Sequence, residues 1–223
     1  MKTNLFIAAL SLVVLAGCSS EDEVGTLVAK NDNVINFTTY VGKQTKAAVE
    51  GTALPAKAEF GVFAYNTKEA LWNASATSAT PNFMYNQKVT FDGANYTYSP
   101  VKYWPNAEKV SFIGYYPFPT ETNGVSVSST FTNKSTGLPK IEFTIPSSEN
   151  GVTDLLVSTV ANDKSKETVS LTFQHVLSKV KFSAQTIAEG STVTINTITL
   201  TGIKNGGTYD CAAGTWLSLI HIS

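Results

Sequence analysis

Apolar and polar residues alternate along most of the chain with a period of two, which is typical of β-strands. In VINFTTYV (34–41), alternation places Ile35, Phe37, Thr39 and Val41 on one face of a predicted strand. The same pattern predicts further strands at 59–65, 88–92, 95–99, 109–117, 140–146, 154–160, 168–174, 179–184 and 192–200. In 179–184 the apolar side chains are expected to face inward, and in 192–200 a change of parity predicts a bulge or bend near Asn196-Thr197. Many short strands predict an all-β sandwich or barrel.

Turn and loop signals separate these strands. Gly93-Ala94 predicts a hairpin between two of them, and Asn205-Gly206 predicts a second hairpin turn. Residues 70–82 read as a loop with a short helical turn. The polar, lysine-rich segment ANDKSKE (161–167) is the favoured domain boundary.

The first 17 residues have the features of a secretory signal. Met1-Lys2 precede an apolar run from Leu5 to Ala16, which is too short for a membrane span of about 20 residues. The run ends in Leu15-Ala16-Gly17-Cys18, which resembles a bacterial lipobox. In a lipobox the cysteine thiol receives a diacylglycerol, so Cys18 is predicted to be a lipid anchor. An ordinary signal peptide with a chance cysteine is the alternative.

The residues after this cysteine are acidic. Ser19-Ser20-Glu21-Asp22-Glu23 resembles the export signal that sends Bacteroidetes lipoproteins to the outside of the outer membrane. The alternative is a merely solvated tether. Residues 1–17 are therefore predicted to be a lipoprotein signal peptide, and residues 18–33 an acidic linker.

Composition and charge exclude several classes of function. The net charge is −1 and all sixteen basic residues are lysines. Arginine is the preferred residue for bidentate recognition of phosphate, and the chain has no basic field to attract nucleic acid. We therefore expect no nucleic-acid partner.

Motifs of enzymes and cofactor sites are absent from the sequence. We find no metal-ligand spacing, P-loop or nucleophile elbow, and His175 is interpreted as a histidine of the core edge. The chain is therefore predicted not to be an enzyme and to hold no cofactor or metal. A group of aromatic residues has two interpretations, a sugar-stacking platform or ordinary core and edge positions: Tyr96, Tyr98, Tyr103, Trp104, Tyr115 and Tyr116.

Several segments, taken in order, resemble the fimbrillin family of Bacteroidales, the type V pilin subunits. Besides the lipobox, they are INFTTYVGKQTKA (35–47), FGVFAY (60–65), YWPNAEKVSFIGYYP (103–117), DLLVSTV (154–160), VSLTFQHVLSKVKF (169–182) and ITLTGIKNGGTYDCAAGTW (198–216). The resemblance implies two transthyretin-like β-sandwich domains, at 34–165 and, incomplete, at 166–216.

The resemblance also implies a mode of assembly. A surface-exposed outer-membrane lipoprotein is cut by a maturation protease after its first strand, and a strand from a neighbouring fimbrillin subunit fills the groove. Here that first strand carries Ile35, Phe37, Thr39 and Val41. Family members have an arginine at the cleavage site, where this chain has Lys46 followed by Ala47. An uncut anchor or accessory subunit is therefore an open alternative.

The expected function is a structural subunit of cell-surface fimbriae that supports adhesion and biofilm formation. The alternative is a surface-exposed, glycan-binding lipoprotein. The last seven residues, LSLIHIS (217–223), do not continue the family pattern and resemble a translated sequencing adapter. We expect them to be non-native, and the alternative is a genuine short β-strand.

Overall fold

Twelve strands and one helical turn make up the named elements of this computed structural model. The structure describes residues 33–42, 52–146, 154–178 and 201–221, with scattered positions between 180 and 199. The strands are β1 (Phe37–Val41), β2 (Glu59–Lys68), β3 (Met84–Phe91), β4 (Tyr96–Thr97), β5 (Lys109–Tyr116), β6 (Val125–Val127), β7 (Lys140–Thr144), β8 (Leu156–Ser158), β9 (Ala161–Lys164), β10 (Val169–His175), β11 (Lys204–Asp210) and β12 (Thr215–His221). The helix α1 is Trp72–Ser75. The predicted all-β class is confirmed.

The strands form two sheets. The larger has eight strands in the order β1-β10-β8-β5-β2-β3-β4, with β9 also paired to β5, and the smaller has the order β12-β11-β7-β6. Strands β1 and β10 are parallel. The other pairings between the named strands are antiparallel.

Both faces of the larger sheet are buried, as the central strand β2 shows. Phe60 and Val62 belong to one apolar cluster, which also contains side chains from β1 and β10. Phe63 and Tyr65 belong to a second cluster, shared with strands of the smaller sheet. The two sheets therefore form a sandwich around the second cluster, and the first cluster lies on the other face of the larger sheet.

Several local predictions are confirmed. Gly93 has a φ of +108° between β3 and β4, which pair as the predicted hairpin. The loop 70–82 contains the predicted helical turn, α1. The strand predicted at 109–117 is β5, which ends at Tyr116, directly before Pro117.

The predicted domain boundary at 161–167 stays a prediction, and the segment lies within the larger sheet. Ala161–Lys164 form β9, which pairs with β5, and β10 follows in the same sheet. A polar side chain of this segment makes a hydrogen bond within the fold: the Asp163 carboxylate accepts from the Trp72 main-chain N–H at 2.9 Å. The described elements belong to one unit, Asp32–Ser223. The assignment of 34–165 and 166–216 to two domains stays a prediction.

The turn predicted at Asn205-Gly206 is wrong, since both residues lie within β11. Gly206 is needed for a close approach, because a Cβ there would lie 2.4 Å from the Phe143 carbonyl oxygen of β7. The turn between β11 and β12 lies at 211–214 instead, where Gly214 has a φ of +67°. Residues 215–221 form β12, and the prediction that 217–223 are non-native stays untested.

The strands predicted at 179–184 and 192–200 are not present at the described positions of those segments. Val180 and Phe182, expected to face inward, are 61% and 50% exposed. Alternation specifies which side chains share a face, but it does not supply the neighbouring strand that a sheet requires. Residues 1–32, with Cys18, lie outside the described residues.

Candidate functional site

The first strand, β1, covers part of the larger sheet's first apolar cluster. Val41 is fully buried, as is Ile35 just before the strand, and Phe37 is nearly so, whereas Thr38 and Tyr40 face outward. Thr39 lies on the inward face and is partly buried. Full burial of side chains of this size stabilises a fold by about 1.5–3 kcal/mol each. The buried side chains of β1 together therefore contribute several times the net free energy of a single hydrogen bond.

On one side β1 pairs with β10. The register runs in parallel from Phe37 opposite Val169 to Val41 opposite Phe173. At the two ends of this ladder, the Val169 N–H donates to the Asn36 carbonyl at 2.8 Å and the Gly42 N–H donates to the Phe173 carbonyl at 2.9 Å. Strand β10 is therefore one wall of the position that β1 occupies.

The other wall is formed by β4 and the loop after it. The Tyr98 hydroxyl donates to the Ile35 carbonyl at 2.8 Å, and the Ile35 N–H donates to the Lys102 carbonyl at 3.0 Å. The hydroxyls of Tyr96 and Thr39 lie 2.8 Å apart. Strand β1, at one end of the larger sheet's strand order, thus also contacts β4 at the other end.

The floor beneath β1 is aromatic. The Phe37 ring contacts the rings of Tyr98 and Phe112 edge-on, with centroids 5.6 and 5.9 Å away, and Trp104 packs on Phe112 at 5.8 Å. Burial raises the pKa of Tyr98 above its usual value. We call the space bounded by β10, Tyr96, Tyr98 and Phe112 the β1 groove.

The far end of β1 leads into the predicted processing segment. The Val41 N–H donates to the Thr52 carbonyl at 3.0 Å, and residues 43–51 between these contacts lie outside the described residues. Lys46 and Ala47 are among them, so their role stays a prediction. Sequence reasoning identified the inward residues of β1 but missed the contacts of Tyr96 and Tyr98.

The six aromatic residues considered as a sugar platform do not share one exposed surface. Trp104 and Tyr115 are buried, whereas Tyr103 is half exposed. Tyr96, Tyr98 and Tyr116 pack against the apolar cluster that β1 covers. The interpretation as core and edge residues therefore fits the geometry better.

His175 lies at the end of β10 in a buried pair with Asp154. Its Nδ1 is 2.6 Å from the Asp154 carboxylate, and its Nε2 is buried without a hydrogen-bond partner. A carboxylate in this position orients the ring and fixes its tautomer. In the described part of the chain, no group of three or more His, Cys, Asp or Glu residues could hold a metal ion.

Helices that could cross a membrane do not occur among the described residues.

Comparison with known proteins assigns the chain to a family. The model of a family described as fimbrillin-like matches residues 45–220, which is most of the chain. This protein belongs to the fimbrillin-like family. The resemblance noted in the sequence is thereby confirmed.

One curated relative and one solved structure are similar to this chain. Fimbrium subunit Fim1C of Phocaeicola vulgatus is 30% identical over 192 residues, which are 81% of this chain and 50% of the relative. A crystal structure of a fimbrial protein from Bacteroides vulgatus matches with a TM-score of 0.59 at 24% identity, over 86% of this chain and 63% of that chain. The fimbrillin-like chain thus spans about half the length of the curated relative it matches.

Proposed function

We propose that this protein is a structural subunit of a cell-surface fimbrium and that β1 is a strand that a neighbouring subunit replaces. The observation that carries the proposal is the position of β1 between two walls, over an aromatic floor. Removing β1 exposes an apolar groove and the unpaired main-chain edge of β10. An extended strand gains hydrogen bonds along such an edge and buries alternate side chains in the groove.

Release of β1 requires a cut in the chain that follows it. A maturation protease that cleaves after Lys46 leaves β1 held only by non-covalent contacts. A strand from another fimbrillin subunit then enters the groove, which links the subunits into a polymer. In this scheme the polymer supports adhesion and biofilm formation, and the protein has no catalytic activity of its own.

Anchoring to the outer membrane follows in this proposal from acylation of Cys18. Two or more acyl chains anchor a protein stably, because each buried methylene contributes about 0.8 kcal/mol. Growing cells with a fatty-acid analogue should label the wild-type protein but not the Cys18→Ala variant. Equal labelling of both proteins would show that the anchor is elsewhere.

The exchange of β1 is tested by locking the strand in place. Thr38 and Ser170 are Cα partners on β1 and β10, and both are exposed. Neighbouring strands lie about 4.8 Å apart, within the range that a disulfide spans. The double variant Thr38→Cys/Ser170→Cys, oxidised in fimbriate cells, should fold but not enter polymers, and a reductant should restore its incorporation.

The matched control places the same bond away from β1. Glu59 and Thr90 are Cα partners on β2 and β3, so the oxidised Glu59→Cys/Thr90→Cys variant should enter polymers normally. Mass spectrometry establishes that each disulfide has formed. Normal polymer ladders from the locked β1 variant would contradict the proposal.

A further inference from the structure

The β1 groove contains one polar contact to a side chain of the strand that fills it. The Tyr96 hydroxyl lies 2.8 Å from the Thr39 hydroxyl. The Tyr96 ring is fixed by stacking on Phe91, with centroids 4.6 Å apart, and by an edge contact with Phe60 at 5.9 Å. Thr39 lies on the inward face of β1 between Phe37 and Val41, so it is a polar residue in an otherwise apolar row.

This polar position distinguishes one register from its neighbours. A strand that slips by two residues keeps the same side chains facing inward, so apolar alternation alone does not prevent the slip. A slip in either direction places Phe37 or Val41 opposite Tyr96. The Tyr96 hydroxyl then loses its partner at a partly buried site, and a polar group left without a hydrogen bond is costly.

Tyr98, the other tyrosine of the same wall, acts differently. Its hydroxyl donates to the main-chain carbonyl of Ile35, which every strand offers whatever its side chains. The Tyr98 hydroxyl therefore supports binding of any extended strand in the groove. Of the two tyrosine hydroxyls, only that of Tyr96 contacts a group that depends on the sequence of the strand.

We infer that Tyr96 is a specificity-determining residue of the β1 groove and that it selects a strand with serine or threonine at the position of Thr39. The selected strand carries apolar residues at the positions of Ile35, Phe37 and Val41. This inference rests on the proposed exchange of β1, and its partner is a strand of another subunit with this pattern. A strand with an apolar residue at the Thr39 position is disfavoured even when its other residues match.

A double-mutant cycle in the full chain tests the contact itself. Thr39→Val keeps the shape of the side chain and removes its hydroxyl, and Tyr96→Phe removes the other hydroxyl. Each single change should raise the unfolding equilibrium constant about tenfold, since one hydroxyl loses its partner. The double variant should be no less stable than either single variant, because neither hydroxyl is then left alone.

Two further variants make the cycle specific. Thr39→Ser retains a hydroxyl, so its unfolding equilibrium constant should lie within about threefold of the wild-type value. Tyr98→Phe combined with Thr39→Val should give effects that add, because Tyr98 contacts the main chain. Additive effects for Thr39→Val and Tyr96→Phe would overturn the inference.

Selection is tested by strand exchange in the nicked full chain. A protease site inserted within 43–51 allows the chain to be cut while β1 stays bound, and labelled peptides of residues 33–42 then compete with β1. The wild-type and Thr39→Ser peptides should exchange in, and the Thr39→Val peptide should bind about tenfold more weakly. Against the nicked Tyr96→Phe protein, the difference between the wild-type and Thr39→Val peptides should vanish.

The outcomes separate the two proposals. Equal binding of the wild-type and Thr39→Val peptides to the wild-type protein would overturn the inference about Tyr96 and leave strand exchange intact. Failure of every peptide to displace β1, together with coupling in the cycle, would count against strand exchange and support the role of Tyr96 for the chain's own strand.

Discussion

Gly61 on β2 illustrates how a single residue sets the packing of the larger sheet. It lies opposite Tyr115 of β5, whose buried ring covers the glycine. The Tyr115 hydroxyl donates to the Asn86 side chain at 2.6 Å, which holds the ring in place. A glycine in a central strand is thus explained by an aromatic neighbour that occupies the space of its side chain.

We predict that Gly61→Ala destabilises the protein by about 1–3 kcal/mol, as expected for overpacking of a core. The added Cβ would lie 2.2 Å from Cε1 of Tyr115, and the buried ring cannot move away cheaply. Urea unfolding measures the change. Gly42→Ala is the control, because its added Cβ meets only the Phe173 carbonyl oxygen at 3.5 Å. Similar stability of the two variants would contradict this reading of the packing.

The buried pair of Asp154 and His175 is a second place where single residues determine the stability of the fold. We predict that Asp154→Ala lowers the free energy of unfolding by about 2–3 kcal/mol, because the buried His175 ring loses the charged partner of its Nδ1. Chemical denaturation measures the effect. Glu121→Ala removes an exposed carboxylate and should leave stability nearly unchanged. Equal effects of the two substitutions would show that the buried pair is not stabilising.

At the scale of the element, the two faces of β1 differ in what they contribute. Phe37 is 5% exposed and Tyr40 is 45% exposed, although both are aromatic residues of one strand. We predict that Phe37→Ala costs about 3–5 kcal/mol and that Tyr40→Ala costs less than about 1 kcal/mol. Thermal and urea unfolding of the full chain compare the two. A larger loss from Tyr40→Ala would mean that the strand faces the other way.

Alternation predicted β1 and its inward residues because a strand with one buried face has a period of two. It could not predict that β1 pairs with β10, since alternation defines a face and not a neighbour, and Phe37 and Val169 are far apart in sequence. Strand β9 was missed because its polar side chains make hydrogen bonds within the fold. The Asp163 carboxylate accepts a hydrogen bond from the Trp72 main-chain N–H at 2.9 Å, which composition alone does not reveal.

The candidate site was predictable only in part for the same reason. Sequence indicated which side chains of β1 point inward, and it interpreted Tyr96 and Tyr98 as part of a sugar-stacking platform or as core and edge residues. Their contacts with β1 depend on the larger sheet bringing β4 close to β1. That arrangement follows from the order of strands in the whole sheet, which local patterns do not encode.

At the scale of the whole molecule, the proposed exchange of β1 depends on where the chain is cut. Strand β1 contacts β10, β4 and the loop after β4, but covalently it continues only through residues 43–51 to the rest of the sandwich. A cut within this segment frees β1 without breaking any described strand. A cut elsewhere in the described sheets would break a strand of the sandwich or a connection between strands that remain.

We therefore predict that Lys46→Ala prevents maturation and leaves β1 in its groove. Mass spectrometry of wild-type surface protein should find an N-terminus at Ala47, whereas the variant should retain the residues before it and be missing from polymers. Lys43→Ala is the matched control, because it removes a lysine from the same segment and should be processed normally. Polymers built from Lys46→Ala subunits that still carry β1 would show that assembly does not require this cut, and they would favour a subunit that works uncleaved.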